Sequence, residues 1–190
     1  MIKYVYLFHG WGGTPDGAFR PYLRQQLINN GFKVETPAFP NTNFPKIEEW
    51  VPFMQTVITS PLDSTILVGH SLGVTAILRF LETLPDNKKL RKAVFVAGAY
   101  DVVSNLNKSE QEIAKPWFDK PYNLTKITDS VSEITAFFSD NDKYIPLDTA
   151  EKMKTNLGAK VIIEHNMGHY NEETGITETP TILREILETK

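Results

Sequence analysis

Residues Thr65-Ile-Leu-Val-Gly-His-Ser-Leu-Gly-Val-Thr-Ala-Ile-Leu-Arg-Phe80 change period partway along, and that change sets the fold. Thr65 to Val68 are β-prone and apolar, as in a strand buried on both faces. From Leu72 onward the apolar residues recur at helical spacing. Between the two lies Gly69-His70-Ser71-Leu72-Gly73. A strand that reverses into a helix over so few residues needs positions without a side chain, and it leaves Ser71 projecting from the turn. One reading is a nucleophile elbow with Ser71 as the attacking group. The other is a glycine-rich turn with a serine capping the helix. The first reading requires a base, an acid and anion-stabilising amides at the ends of other strands.

Working outward, Tyr4 to Phe8 is a second buried strand, and His9-Gly10-Trp11-Gly12-Gly13 follows it. Thr14 with Pro15 predicts a helix start there, the helix running to Asn29-Asn30-Gly31. The glycines do not fit a nucleotide fingerprint: Pro15 stands where a dinucleotide loop needs glycine or alanine, and no Lys-Ser/Thr follows Gly17. Either the loop serves only its turn, or its amides, that of Trp11 first, face a developing oxyanion. Phe32–Thr36 reads as a short strand and Lys46–Ile58 as a helix interrupted by Pro52. Ala93–Ala99, Ile134–Phe138 and Val161–Glu164 complete the strands, with helices over Leu147–Leu157 and from Pro180 to Leu187. Residues 100–122 break the alternation. They read either as a small cover over the sheet edge that touches substrate or as a helix packed on the sheet through its aromatic residues. Strand-helix alternation predicts an α/β fold: a three-layer α/β/α sandwich on a mostly parallel sheet of about six strands. The ligand site is expected at the carboxyl ends of the strands. Residues 1–190 read as one domain without a large lid.

Composition narrows the chemistry. At 190 residues, 41% hydrophobic and 23% charged, the chain can bury a continuous core, and its net charge of -3 offers no basic field for nucleic acid or an anionic membrane. Without cysteine there is no thiolate nucleophile, disulfide or thiolate metal site. The apolar run at Met1–Phe8 is too short for a secretion leader, and no segment approaches a membrane span, so a cytoplasmic protein is expected.

A serine hydroxyl needs a base within hydrogen-bond reach and a third group to orient that base. Of four histidines, His9 ends the first strand, His70 points away from Ser71 within the elbow, and His165 closes the last strand. His169, just beyond that strand, is the best base. Asp142 and Asp140 compete as the acid, with Asp101 behind them; Asp142 leads because it lies further into its loop and Ile145-Pro146 follows. The order Ser, Asp, His along the chain is that of α/β-hydrolases. A metal site on His165 and His169 is disfavoured, because no Glu follows His165 and Gly168 weakens any helix there. No cofactor is expected.

Gly69-His-Ser-Leu-Gly73, Asp142-x-x-Ile-Pro146 and Gly168-His-Tyr-Asn-Glu-Glu-x-Gly175 resemble the small, lidless α/β-hydrolases related to retinoblastoma-binding protein nine and the bacterial YdeN-like serine hydrolases. Trp50-Val-Pro-Phe-Met54 and Pro116-Trp117 extend the resemblance over nearly the whole chain. It implies a minimal α/β-hydrolase with Ser71, Asp142 and His169 as the triad and a Trp11 amide in the oxyanion hole, joined by that of Leu72. Retinoblastoma binding is not implied, since the Leu-x-Cys-x-Glu motif needs cysteine and the chain has none. The expected reaction is hydrolysis of small carboxylic esters, an esterase before a peptidase, with Trp11, Trp117 and Tyr144 shaping the substrate site. A peptide or amide hydrolase with the same triad, or a binding module on the same fold, are the competing readings. The expected partner is a small acyl substrate; oligomeric state is not legible.

Overall fold

The strand of the elbow, β3 (Thr65–His70), lies in the middle of the sheet because every one of its residues is buried. The computed structural model describes residues 3–101, 103 and 105–189. Met1 and Ile2 of the run weighed as a leader, and Val102 and Ser104 of the expected cover, lie outside those residues. Strands β1 (Tyr4–Phe8), β2 (Lys33–Glu35), β4 (Lys92–Val96), β5 (Ile134–Ser139) and β6 (Lys160–Glu164) join β3 in a six-stranded sheet of order β2-β1-β3-β4-β5-β6. All five pairings are parallel. Seven α-helices accompany them among the described residues: α1 (Arg20–Asn29), α2 (Ile47–Val57), α3 (Leu72–Glu82), α4 (Lys108–Phe118), α5 (Leu124–Asp129), α6 (Asp148–Leu157) and α7 (Pro180–Leu187).

Alternation along each strand makes the two cores. From β1, Tyr6 and Phe8 join Trp50 and Met54 of α2 and the apolar face of α3, whereas Val5 and Leu7 join Leu23 of α1 and Ile182 of α7. Helices therefore cover both faces, as the expected three-layer sandwich requires. The chain leaves β1 toward β2 on one side, and β3 pairs on the other, so a topological switch point lies between the carboxyl ends of β1 and β3. The His9–Gly13 loop and the elbow both emerge there.

Three local expectations are corrected. Helix α1 begins at Arg20, not after Thr14: Ala18 takes φ 50°, Thr14 and Pro15 lie in turns, and Pro21 occupies the first helical turn. Thr14 instead uses its carbonyl to accept from the Arg20 Nε–H at 2.9 Å. Pro52 does not interrupt α2, which runs through it; the ring sits on the exposed side and Thr56 Oγ donates to the Pro52 carbonyl. Strand β4 stops at Val96 rather than Ala99, because Ala97 adopts φ 45° and turns the chain beneath the elbow. There the Ala99 N–H donates to the Ser71 carbonyl and Thr75 Oγ to the Ala99 carbonyl. Helix α5 carried no sequence signal; Asn123 caps it by accepting from the Lys126 N–H.

Within 100–122, helix α4 packs on the core through its aromatic side. Trp117 faces inward and is fully buried, 5.4 Å from Trp50 ring to ring, with its Nε1–H donating to the Pro45 carbonyl. Buried Arg79 of α3 donates to the carbonyls of Trp117 and Lys120, holding the end of α4. The other side of α4 faces the cavity described next. Among the described residues no helix is long and apolar enough to cross a membrane.

Candidate active site

Ser71 sits between β3 and α3 with φ 53° and ψ -121°. Such a conformation costs a non-glycine residue about 1–3 kcal/mol and persists only when its surroundings over-determine it. They do. A Cβ on Gly69 would lie 2.9 Å from the Gly73 carbonyl oxygen, and one on Gly73 would lie 2.5 Å from that of His9. The Ser71 N–H donates to the Val96 carbonyl, and its own carbonyl accepts from Val74 and Ala99. The backbone being thus committed, only the hydroxyl points into the open, half-exposed.

Nε2 of His169 lies 3.0 Å from Ser71 Oγ, and Nδ1 lies 2.9 Å from Asp142 Oδ2. A carboxylate only accepts, so Nδ1 carries the proton and Nε2 is left to accept from the serine hydroxyl. The Asp142 side chain is 2% exposed, and its Oδ1 accepts from the Tyr144 and Ile145 N–H groups at 2.8 and 3.1 Å. The two amides just before Pro146, those of Tyr144 and Ile145, thus pin the Asp142 carboxylate. Asp140, the competing carboxylate, instead reaches His165 at 2.6 Å and the Asn166 N–H at 2.9 Å. Asp101 pairs with Lys152.

Gly10 packs so closely on the elbow that a Cβ there would lie 2.9 Å from Ser71 Cβ. This brings the loop after β1 against the start of α3. Among the described residues the N–H groups of Trp11 and Leu72 donate to no protein oxygen. Leu72 also opens a helix, where the aligned peptide dipoles favour negative charge. His9 supports this loop from behind. Fully buried, its Nε2 accepts from the Phe39 N–H, so Nδ1 must be the nitrogen that donates to the Gly10 carbonyl. Burial lowers its pKa, with nearby Arg20 acting the same way against the Gly10 bond, which keeps the ring neutral.

A cavity of about 310 Å³ opens beside Ser71 and His169. Residues such as Leu72, Leu106, Ala114, Phe118 and Ile145 form its apolar wall, while Trp11, Glu110, Tyr144 and Asn171 add polar groups to the lining. Tyr144 stands with its ring 5.0 Å from that of His169 and its hydroxyl donating to Glu173. Trp11 is fixed by donation from its Nε1–H to the Asn43 carbonyl. Of the three aromatic residues expected at the substrate, Trp11 and Tyr144 line this cavity and Trp117 does not. The proline beside Trp117 did not reveal which face of the helix the indole takes; Ala114 and Phe118, four residues apart and so together on a neighbouring face, stand at the cavity instead. A larger cleft of about 540 Å³ lies at the opposite ends of β4 to β6, where Lys92 and Lys160 both pair with Glu185 and Lys92 also with Glu133. Among the described residues, no three His, Cys, Asp or Glu side chains gather as metal ligands.

Sequence reasoning passed over the residues that hold His169 itself. His70 Nε2, at 2.7 Å, donates to the His169 carbonyl, and Asn141 Oδ1 accepts from the Gly168 N–H at 2.7 Å. Burial holds the His70 pKa well below 6.5, so that ring is neutral. The run Ser139-Asp-Asn-Asp142, all short side chains suited to gripping backbone, was the available signal.

The sheet order, the switch-point cleft and the strained serine between strand and helix define an α/β-hydrolase. The chain belongs to the serine hydrolase family, whose model matches residues 5–188. Among its relatives, a putative hydrolase YdeN of Bacillus subtilis is 28% identical over 182 residues, covering 96% of this chain and 93% of that protein. The serine hydrolase RBBP9 of Rattus norvegicus is 27% identical over 180 residues, 94% and 87% of the two chains. The crystal structure of the B. subtilis ydeN gene product superposes with a TM-score of 0.91 over 98% of each chain, at 24% identity.

Proposed function

We propose that this serine hydrolase cleaves small carboxylic esters through an acyl-enzyme on Ser71, with His169 as general base and acid and Asp142 as its orienting partner. The observation that carries the reading is one imidazole bridging Ser71 Oγ at 3.0 Å and a buried carboxylate at 2.9 Å. Ser71 Oγ attacks the ester carbonyl carbon as its proton passes to His169 Nε2, and the carbonyl electron pair moves onto oxygen. The Trp11 and Leu72 amides receive that oxyanion. Losing one such donor typically costs about a hundred to a thousandfold. Collapse breaks the bond to the alcohol, which leaves with the proton from His169; water then repeats the cycle on the acyl-enzyme.

The apolar wall and modest size of the cavity suit a short neutral acyl chain, with Trp11 and Tyr144 as its polar-edged neighbours. In this reading residues 1–190 form one catalytic unit, and helix α4 within 100–122 is a small cover anchored by Trp117 and Arg79, in place of a large lid. Labelling with a fluorophosphonate followed by mass mapping tests the nucleophile, and a series of p-nitrophenyl esters tests the chemistry. Labelling at Ser71 and ester turnover abolished in Ser71→Ala are expected. An unlabelled Ser71 in folded protein sinks the triad, and preferred turnover of matched amides moves the assignment to an amidase.

A further inference from the structure

We propose that His70 and Asn141, which immediately precede the nucleophile and the acid, are positioning residues that grip the peptide groups on either side of His169. The inference rests on the triad reading above and adds to it a device that sets where the base stands. Asn141 Oδ1 takes the Gly168 N–H at 2.7 Å and also the Ser139 hydroxyl at 2.8 Å. Two donors on one atom fix it as the amide oxygen. Ser139 Oγ in turn accepts from the Met167 N–H at 2.9 Å. On the far side, the His70 Nε2–H donates to the His169 carbonyl at 2.7 Å, and the His70 ring stands edge-on to Phe19, 5.8 Å away.

The loop needs such holding. Asn166, Gly168 and Tyr170 all have positive φ, at 59°, 55° and 52°; glycine takes this freely, but at Asn166 and above all at Tyr170 the path runs against intrinsic backbone preference. Side-chain hydrogen bonds from two other loops therefore define it. Because His70 shares a peptide bond with Ser71, and Asn141 with Asp142, each grip ties the base to a neighbour of the group it must meet. The Ser71–His169 and His169–Asp142 distances are then set by short covalent paths rather than across the sheet. A displacement of about 1 Å at such a base can cost about a hundredfold in rate.

The experiment compares the full chain with Asn141→Ala, Asn141→Asp, His70→Leu and His70→Gln. Asn141→Ala should lower kcat on a p-nitrophenyl ester about ten- to a hundredfold with KM within twofold, and Asn141→Asp, which keeps the acceptor, should restore kcat to within about threefold. His70→Gln, which keeps a donor, should likewise exceed His70→Leu. A kcat for Asn141→Ala within twofold of wild type, or a loss that Asn141→Asp does not repair, overturns the proposal. A second readout needs no substrate: the low-field NMR signal of the proton between His169 and Asp142, assigned by its disappearance in His169→Ala. It should persist in Asn141→Asp and be lost or displaced in Asn141→Ala; an unmoved signal there overturns the positioning role. Wild-type protein that shows this signal and its response to Asn141→Ala, yet leaves esters and fluorophosphonate untouched, would refute the functional reading while upholding the grip.

Discussion

Two aspartate–histidine pairs join the same two loops, and among the described residues only one of them also reaches a serine hydroxyl. Asp140 and His165 meet at 2.6 Å with side chains 36% and 82% exposed; Asp142 and His169 meet at 2.9 Å with side chains 2% and 10% exposed. The shorter contact is the weaker candidate. In water a pair of this kind is screened and contributes little, and the far nitrogen of His165 has no partner among the described residues. His169 differs in having a hydroxyl on its other nitrogen, two backbone amides fixing its carboxylate, and walls that exclude solvent. Distance alone therefore does not separate the two pairs; burial and the third partner do.

The largest effects should come from that third partner. Ser71→Ala or His169→Ala is expected to lower kcat on small esters about a millionfold, measured against enzyme-free hydrolysis, as for members of such triads elsewhere. Asp142→Asn should cost about ten-thousandfold, since an amide stabilises the wrong imidazole tautomer. Retention of more than a tenth of the wild-type rate in Asp142→Asn would break the distinction between the two pairs.

A buried pair at the opposite end of the sheet sharpens the comparison through stability. Glu185 is almost wholly buried against Lys92, with Lys160 and Thr135 also donating. Burial opposes ionisation there, but the bonds from Lys160, Lys92 and Thr135 prevail and hold its pKa near about 2, below the ordinary 4.5. A depressed carboxylate contributes stability that is complete above the unfolded value and is lost as pH falls through the folded one. Urea unfolding should thus lose about 3 kcal/mol of stability between about pH 5 and pH 2 from this group. Glu185→Gln should remove much of that pH dependence and leave Lys92 at neutral pH with only the more distant, half-exposed Glu133 as its charge partner, at a cost of up to about 3 kcal/mol. A wild-type-like acid profile in the variant would contradict the pairing. The smallest effect belongs to the exposed pair. Bonds from the Asn166 N–H and His165 lower the Asp140 pKa, yet Asp140→Asn is expected to change kcat by no more than about twofold at neutral pH, in line with other surface substitutions. A loss comparable to that of Asp142→Asn would exchange their roles.

Much was legible along the chain because the relevant physics is local. The period change at Thr65–Phe80, the glycines flanking Ser71 and the buried runs at Tyr4–Phe8 and Ile134–Phe138 each report on their own few residues, so the strands and the elbow could be read directly. Helix boundaries were less legible where a turn competed, as at Thr14, whose carbonyl binds Arg20 instead of starting a helix. Trp117 was misplaced because an indole at a helix end suits a cavity and a core equally; only packing on Trp50 and a bond to Pro45 decide it.

The sequence by itself determined that the sheet is mostly parallel, that a serine stands at a strand-to-helix turn, and that a candidate acid and base follow in the order of α/β-hydrolases. Periodicity, glycine placement and chain order carry that information without any contact between distant residues. Tertiary structure decided what the sequence only ranked, that Asp142 faces His169 and Asp140 faces His165, and which aromatic side chains reach the cavity. Those choices turn on a few ångströms between loops far apart in the chain, and on whether water reaches them, which no local pattern encodes.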